Sequence, residues 1–298
     1  MNKIDKPFFF CIGAQKAGTT TLHDILTQNK EIALPSEKES HFFSAPELYE
    51  KGLEYYFNYF FDSSRLSDCL LAGEIDPSYS FFKGTAARIN QNFERPQDLR
   101  FVFILRNPVA RAYSHYLMSS RRGYEKLGFQ EAIRQEKDRI KDPFGFIHFS
   151  YMSRGYYSEQ IKEYLEYYAP TQFLYLRFEE DLMGDLEGSI TAVEKFLGLS
   201  PYAYDLDLKS NAASVPRSQI LRDLTHKEYY LKSLLARLIP SKKVRTKIKD
   251  AINKRNFKTS STQRLDEMLM KQLYLKHFKE ETRAIEALTG LDLSSWKT

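Results

Sequence analysis

A short loop near the beginning of the 298-residue chain contains the residue types that bind phosphate. The loop spans residues 13–20, Gly-Ala-Gln-Lys-Ala-Gly-Thr-Thr, and it lies between an apolar run at 7–12 and a helical pattern. Glycines let the backbone approach an anion closely, and the first turn of a helix offers free N–H groups at the positive end of its dipole. The spacing therefore predicts a phosphate-binding loop between a strand and a helix.

The cation of this loop stands in an unusual place. In the P-loop of nucleoside triphosphatases, G-x-x-x-x-G-K-[ST], a lysine follows the second glycine directly. Here Thr19 stands in that place, Thr20 stands where the Ser or Thr belongs, and Lys16 is the lysine of the loop. We therefore expect a phosphate ligand whose cation reaches it from inside the loop, and a nucleotide other than ATP or GTP.

A second candidate anion site follows the apolar run at 99–105, which we expect to be a buried central strand. In ATP-hydrolysing P-loop proteins such a strand commonly ends in an acid that helps to hold magnesium. Here it ends in Arg106, and Ser114 follows on the next predicted helix. The carboxyl ends of strands in open α/β sheets face the ligand crevice, where a guanidinium and a hydroxyl can bind a phosphate. The two sites together predict a nucleotide with phosphate at two places and no required metal.

That description fits 3′-phosphoadenosine 5′-phosphosulfate, and the chain resembles the sulfotransferase family, in particular its heparan-sulfate-type and bacterial carbohydrate members. Residues 13–20 resemble the 5′-phosphosulfate loop of the family, and residues 106–114 resemble its 3′-phosphate segment. The resemblance implies an enzyme that transfers a sulfuryl group from this donor to a hydroxyl, or with less preference an amine, of a carbohydrate or small metabolite. Further segments that are similar to family motifs lie at 35–43, 73–79, 154–157, 211–218 and 288–296.

The resemblance also implies roles for the donor-binding residues. Lys16 is the natural cation for the bond that breaks, because an ammonium is a compact charge that can follow the charge developing on the leaving oxygen. Backbone N–H groups and hydroxyls at the start of the first helix would hold the 5′-phosphate, and Arg106 with Ser114 would hold the 3′-phosphate. The complete predicted set is Lys16, Ala17, Gly18, Thr19, Thr20, Thr21, Arg106, Ser114 and, from a later loop, Arg217.

The predicted general base is Glu39. It stands in residues 38–43, Lys-Glu-Ser-His-Phe-Phe, which resemble the stretch that holds the catalytic glutamate of the family. A carboxylate can accept the proton of an acceptor hydroxyl or amine. His41 is the alternative base, or a partner that orients Glu39 or contacts the acceptor. The predicted catalytic residues are thus Lys16, Glu39 and His41, and no metal is expected to be required.

Two positions depart from the heparan-type pattern. Ile75 stands where that pattern has a lysine, and Ser44 stands where it tends to carry an acid. Both family positions lie near the acceptor or the reacting centre. The departures therefore argue against heparan sulfate itself as the acceptor, whereas the donor residues are present.

The order of the elements predicts the fold that must position these residues. Apolar runs separated by helical patterns indicate a parallel sheet covered on both faces. We therefore expect one domain over residues 1–298, an α/β, three-layer P-loop-like fold with a central parallel sheet flanked by helices. The predicted strands are 7–12, 70–75, 99–105 and 173–178, and the predicted helices are 19–29, 85–93, 107–119, 129–141, 158–168, 186–197 and 262–288.

Composition limits the class of protein and of partner. Hydrophobic residues make up 42% of the chain, which is enough for a packed core. The net charge of +5 suits an anionic ligand better than nucleic acid. The chain has two cysteines, Cys11 and Cys69, and Cys11 is expected to be a small core residue of the first strand, so we expect no disulfide framework. No signal-peptide pattern and no apolar run near the roughly 20 residues that cross a bilayer are present, which predicts a cytoplasmic protein without a transmembrane segment. The oligomeric state stays open.

Two stretches have two interpretations each. Residues 55–61 are nearly all aromatic and are expected to pack a helix into the core, with the wall of an acceptor pocket as the alternative. The basic stretch 237–258 is expected to be solvated, with contact to an anionic acceptor or a membrane surface as the alternative.

Two other functions also stay open. A nucleotide kinase with an atypical P-loop would bind ATP in a magnesium-dependent way, but the lysine and the acidic metal ligand are both missing from their expected places. A non-enzymatic anion-binding module that uses residues 237–258 would show steeply salt-dependent binding that survives the loss of Lys16.

Overall fold

The computed structural model describes residues 3–207, 214–216, 257–259 and 265–297. Arg217 lies outside these residues, and so does the basic stretch 237–258 apart from its last two positions. The chain divides into two compact units, and this division does not test the predicted single domain, which stays a prediction. The first unit is Met1–Arg111, Ser153–Leu208 and Met268–Thr298, and the second is Ala112–Met152 and Lys209–Glu267.

The first unit is built on a five-stranded parallel sheet. Its strands are Phe8–Gly13 (β1), Ile32–Ala33 (β2), Leu71–Ile75 (β3), Arg100–Leu105 (β4) and Phe173–Arg177 (β5). Their order in the sheet is β2-β3-β1-β4-β5. Every residue of β1 and β3 is buried, as expected for strands that helices cover on both faces. The predicted central parallel sheet is therefore confirmed, and β2 is a two-residue strand that the sequence did not reveal.

Aromatic rings from neighbouring strands form the core of this sheet. The rings of Phe10 in β1 and Phe101 in β4 stack with 5.9 Å between centroids. Phe101 also stacks on Phe173 of β5, at 5.1 Å. Because aromatic side chains bury large apolar areas, these contacts hold the three strands together.

Helices connect and cover the strands. The predicted helices at 19–29, 85–93, 107–119, 158–168 and 186–197 are present with small shifts at their ends. Single turns of tighter or wider helix lie at Pro96–Asp98, Ser153–Gly155, Pro170–Gln172, Phe178–Leu182 and Ser294–Lys297. The helices are Thr19–Leu26 (α1), Pro46–Tyr49 (α2), Gly52–Phe60 (α3), Ser63–Asp68 (α4), Thr85–Asn92 (α5), Pro108–Arg121 (α6), Phe129–Arg134 (α7), Glu136–Arg139 (α8), Pro143–Phe149 (α9), Tyr157–Leu165 (α10), Leu186–Leu197 (α11), Glu267–His277 (α12) and Lys279–Thr289 (α13).

The second unit contains most of α6, together with α7, α8 and α9 and an antiparallel pair, Ser214–Pro216 (β6) and Phe257–Thr259 (β7). The predicted helix at 129–141 is wrong in its extent, because Gln135 divides it into α7 and α8. Glu136, directly after the break, is buried and accepts a 2.7 Å hydrogen bond from the N–H of Met152. The break in the helical pattern thus coincides with a buried carboxylate, that of Glu136, which is satisfied by a backbone N–H.

The predicted tail helix at 262–288 is also wrong in its extent. It is divided at Phe278, where the backbone leaves helical geometry between α12 and α13. The ring of Phe278 is fully buried, 5.2 Å from the ring of Tyr156. Burial of one large side chain therefore overrides the helical periodicity of the tail.

The aromatic stretch 55–61 forms most of α3 and packs into the core on one side. Tyr56, Phe60 and Phe61 are buried, whereas Tyr59 is 59% exposed. The core interpretation of this stretch therefore applies to one face of the helix.

Candidate active site

The loop at 13–20 joins β1 to α1 and contains two residues in the left-handed region. Lys16 has a φ of 72° and Gly18, which precedes α1, has a φ of 85°. A Cβ atom on Gly18 would lie 2.9 Å from Leu182 and 3.1 Å from Phe178, so only glycine fits there without a shift. No side chain caps α1, which leaves the N–H groups of its first turn available to an anion.

Arg106 binds this loop from the carboxyl end of β4. Its Nη1 atom donates a 2.7 Å hydrogen bond to the carbonyl oxygen of Lys16, and its guanidinium lies 4.5 Å from the ring centre of Phe178. Its Nε atom is buried, makes no hydrogen bond to any described residue, and lies 3.5 Å from Oε1 of Glu179. Burial lowers the pKa of Arg106, and the charge of Glu179 opposes that shift. A half-buried guanidinium with an unsatisfied donor is a suitable partner for anionic oxygen.

Lys38 joins the start of α1 to Glu39. Its Nζ atom donates hydrogen bonds to Oγ1 of Thr20 at 3.1 Å and to Oε1 of Glu39 at 2.5 Å. The side chain of Glu39 is 36% exposed, so one end of this contact is open to solvent. The predicted base therefore lies beside the predicted donor loop, paired with a lysine.

Two buried carboxylates at the end of β3 hold the backbone of the same segment. Glu39 and His41 have φ values of 63° and 55°, which are uncommon for residues other than glycine and asparagine. The N–H of Ser40 donates to Oε1 of Glu74 at 3.1 Å, and the N–H of His41 donates to Oδ2 of Asp76 at 2.9 Å. Glu74 and Asp76 are fully buried, so water does not compete for these hydrogen bonds. The bonds therefore compensate for the unfavourable backbone conformation of residues 39–41.

Glu74 is satisfied on both of its oxygens. The hydroxyls of Tyr56 and Tyr79 donate to Oε2 at 2.6 and 2.8 Å, opposite the bond from Ser40. Burial raises the pKa of Glu74, and the neighbouring Asp76 raises it further. The buried face of α3 thus supplies, through Tyr56, one of the groups that fix the site.

The ring of His41 pairs with Asp76 as well. Its Nδ1 atom lies 2.9 Å from Oδ2 of Asp76, the same oxygen that accepts the backbone N–H of His41. Since a carboxylate only accepts, Nδ1 carries a hydrogen and Nε2 is the ring nitrogen left for a ligand. Burial alone would lower the pKa of His41, but the hydrogen bond to Asp76 and the charges of Asp76, Glu39 and Glu74 outweigh it and raise the pKa.

Arg154 has a buried guanidinium and belongs to the first unit. It is 3% exposed, lies 4.2 Å from the ring centre of Phe81, and its Nε and Nη1 atoms have no hydrogen-bond partner among the described residues. Burial, and then the charge of Arg111, lower its pKa to about 9, while Asp76 and Glu39 oppose the shift. Arg154 therefore remains a cation at neutral pH near the two acidic residues of the site.

The other predicted donor residues lie in three places. Ala17 is buried in the loop, where its N–H donates to the carbonyl oxygen of Ala14 at 3.0 Å. Thr21 lies in the first turn of α1, and Ser114 lies on α6 in the second unit. Arg217 lies outside the described residues. The structure thus brings Arg106 to the loop of Lys16 and joins Thr20 to Glu39 through Lys38, while the role of each residue stays a prediction.

Sequence reasoning did not single out Lys38, Asp76 or Arg154, although each lies in a segment that resembles a family motif. The contact between His41 and Asp76 could not be predicted from the sequence, because the two residues are 35 positions apart in the chain and meet only in the fold. Among the residues that the structure describes, no three His, Cys, Asp or Glu side chains are grouped to hold a metal ion.

Comparison with known proteins identifies the family. A sequence model described as the sulfotransferase domain matches residues 6–277, most of the chain. The chain belongs to the sulfotransferase family. The family and the enzyme class that the motifs predict are therefore confirmed, and the heparan sulfate enzymes are among the relatives.

Curated relatives match parts of this sulfotransferase. It is 27% identical over 214 residues to the human bifunctional heparan sulfate N-deacetylase/N-sulfotransferase 2, which covers 66% of this chain and 22% of that protein. It is 27% identical over 208 residues to the human heparan sulfate glucosamine 3-O-sulfotransferase 6, covering 69% and 56%. The membrane-associated sulfotransferase kil1 of Dictyostelium discoideum is 31% identical over 141 residues, covering 45% and 29%. The matches thus span from about a fifth to just over half of the length of these relatives.

A solved structure matches over nearly the whole chain. The sulfotransferase from Alicyclobacillus acidocaldarius has a TM-score of 0.66 and 25% sequence identity, over 99% of this chain and 100% of that one. The predicted P-loop-like α/β fold is therefore confirmed. In the described part of the chain, no helix is both long and apolar enough to cross a membrane.

Proposed function

We propose that this sulfotransferase moves a sulfuryl group from 3′-phosphoadenosine 5′-phosphosulfate to a hydroxyl, or with less preference an amine, of a carbohydrate or small metabolite. The observation that carries the proposal is the contact between Arg106 and the carbonyl oxygen of Lys16. It places an arginine, instead of the acid of an ATP-hydrolysing protein, beside a phosphate-type loop. The carbohydrate class is supported by two relatives that are named for heparan sulfate.

The residues present fit such a donor. The uncapped start of α1, with its adjacent threonines, offers N–H groups and hydroxyls for the 5′-phosphate. The buried Nε atom of Arg106 makes no hydrogen bond to a described residue and lies 3.5 Å from Oε1 of Glu179, and it is suited to an anionic oxygen, as the predicted 3′-phosphate role requires. Ser114 and Arg217 complete the proposed set from the sequence pattern.

Sulfuryl transfer needs charge stabilisation on the leaving phosphate and removal of a proton from the acceptor. Lys16 is proposed to supply the positive charge at the leaving phosphate, which requires no metal. Glu39 is the first proposed proton acceptor, because the family motif places it there, and His41 is the alternative. Both lie on the segment that Lys38 joins to the start of α1.

The acceptor is proposed to differ from heparan sulfate. Ile75, which stands in place of a family lysine, is 1% exposed and adds no charge to the site. Ser44, which stands in place of an acid, is buried, and its hydroxyl bonds to the carbonyl oxygen of His41 at 3.2 Å. The absence of nucleic-acid binding and the cytoplasmic location both stay predictions, and one relative is named membrane-associated.

Calorimetry of nucleotide binding tests the assignment of the loop. We expect the protein to bind 3′-phosphoadenosine 5′-phosphate without metal, and Lys16→Ala to weaken that binding by about 10- to 100-fold, as for a lost charged hydrogen bond. The control is Lys30→Ala, which removes an exposed lysine beyond α1 and is expected to leave the affinity unchanged.

Two results would contradict the assignment. One is magnesium-dependent binding of ATP in preference to the bisphosphate, which a nucleotide kinase would show. The other is bisphosphate binding that depends steeply on salt but is the same in the wild type and in Lys16→Ala, as for a binding module.

A further inference from the structure

The contact between His41 and Asp76 has the features of a catalytic histidine with its orienting carboxylate. One oxygen of Asp76, Oδ2, lies 2.9 Å from both the backbone N and the ring Nδ1 of His41. Its other oxygen, Oδ1, accepts the N–H of Ser78 at 2.9 Å. Asp76 is fully buried and held on both oxygens, so it can fix the ring in one orientation.

This orientation of the His41 ring leaves one of its two nitrogens free to accept a proton. Because Nδ1 donates to Asp76, Nε2 is the atom that can accept a proton from a ligand. The side chain of His41 is 45% exposed, which gives a ligand access. The N–H of Ser40, in the preceding peptide, donates to Glu74 and holds the backbone there as well.

The rival base, Glu39, has a different environment. Its Oε1 atom pairs with Lys38 at 2.5 Å, and no buried carboxylate or backbone N–H orients it among the described contacts. Glu39 is thus paired with a flexible lysine side chain at a half-exposed position. His41 is instead held by a buried carboxylate, which stabilises the imidazolium that proton uptake creates.

We propose that Asp76 is a positioning residue that holds His41, the alternative base, so that its Nε2 atom takes the proton of the acceptor hydroxyl in place of Glu39. This inference rests on the proposed sulfuryl transfer. The acceptor oxygen forms a bond to sulfur, and the sulfur bond to the 5′-phosphate oxygen breaks with its electron pair left on that phosphate. The acceptor proton passes to Nε2, so the imidazolium of His41 and the carboxylate of Asp76 form an ion pair.

The charged groups around the pair set its pH dependence. Asp76, Glu39 and Glu74 face His41 and favour its protonated form, whereas burial disfavours it. Arg154 lies near enough to Asp76 and Glu39 for their charges to raise its pKa. Loss of the Asp76 carboxylate weakens the hydrogen bond and removes the charge that most favour the protonated ring, so the pKa of His41 should fall in Asp76→Asn.

The pH profile of kcat/KM tests the proposal. The wild type should lose activity on acidification as His41 protonates, because the base must be free. In Asp76→Asn this acidic limb should move to lower pH, and the plateau should fall by roughly 100-fold, since a misoriented base loses most of its contribution. Asp24→Asn is the matched control, because Asp24 pairs with Nδ1 of His23 at 3.2 Å on the outside of α1, and its profile should match the wild type.

Chemical rescue gives a second test. His41→Gly suits the φ of 55° at this position and leaves space where the ring stood. Added imidazole should restore part of its activity, and the restoration should follow the fraction of neutral imidazole as the pH changes. The proposal would be overturned if the acidic limb of the kcat/KM profile lay at the same pH in Asp76→Asn as in the wild type. It would also be overturned if imidazole did not change the activity of His41→Gly.

A readout without turnover separates this proposal from the proposed function. NMR titration of the His41 ring should give a pKa above its ordinary value in the wild type and a lower one in Asp76→Asn. Equal values in the two proteins overturn the inference even where sulfuryl transfer is observed. If the two values differ but no acceptor is sulfated, it is the proposed function that fails, together with the catalytic role of the pair.

Discussion

Single residues of the candidate site adopt backbone conformations that most side chains avoid. Lys16, Glu39 and His41 all have positive φ values. Two of them are held by a contact from a neighbouring strand end: Arg106 binds the carbonyl oxygen of Lys16, and Asp76 binds the N–H of His41. Such conformations persist only where surrounding contacts support them, and they are found preferentially at functional sites.

Gly18 offers a test of the loop at this scale. In Gly18→Ala the new Cβ atom meets Leu182 at 2.9 Å in addition to the strain of a φ of 85°. Strain and overpacking each cost about 1–3 kcal/mol. We therefore expect a clear loss in the free energy of unfolding and weaker binding of the bisphosphate, measured by thermal unfolding and calorimetry.

Gly198 provides the matched control for that change. Its φ is 72°, close to that of Gly18, but a Cβ atom there would meet nothing within 4 Å. Gly198→Ala should therefore show the strain alone and normal bisphosphate affinity. Equal stability losses together with equal affinities in the two variants would show that the packing of the loop is unimportant.

Among the elements, the sequence predicts strands better than helix ends. β1 and β4 are recognisable because strands buried on both faces are continuous apolar runs, and β5, at the edge of the sheet, is an apolar run that ends in Arg177. The break between α12 and α13 could not be predicted, because it depends on where the ring of Phe278 is buried and the local sequence keeps a helical pattern through it. The break at Gln135 also lies within a continuous helical pattern, so the local sequence does not reveal it.

Phe278 is expected to be important for the packing of α13. Its ring is fully buried and lies close to Gly155, on which a Cβ atom would lie 2.9 Å from it. Phe278→Ala should lower the free energy of unfolding by about 3–5 kcal/mol, the usual cost of deleting a buried phenylalanine. Met268→Ala on α12, where the side chain is 70% exposed, should change it by less than about 0.5 kcal/mol. Similar denaturation midpoints for the two variants would contradict the packing described for Phe278.

Over the whole molecule, the candidate site is assembled from distant parts of the chain. Lys16 and Arg106 are 90 residues apart, and Thr20 and Lys38 are 18 apart. Because β3, β1 and β4 are parallel neighbours, their carboxyl ends lie at one edge of the sheet, which brings these segments together.

That topology explains which parts of the site the sequence predicts. The phosphate-type loop and the arginine at the end of β4 are local patterns next to recognisable strands, so both could be located in advance. The pairing of Asp76 with His41 has no local pattern, since it depends on the order of the strands and on the turn that residues 39–41 make. Composition gave no indication of the two compact units either.

Transfer of a labelled sulfuryl group is the most direct measurement. Wild type and Lys16→Ala would be incubated without metal with radiolabelled 3′-phosphoadenosine 5′-phosphosulfate and a panel of glycans, alcohols, phenols and amines. We expect the wild type to label at least one hydroxyl acceptor, and Lys16→Ala to do so about 100- to 1,000-fold more slowly, as when one group that stabilises transition-state charge is lost. Equal rates for the two proteins, or no labelled product from the wild type with any acceptor, would contradict the proposed sulfuryl transfer.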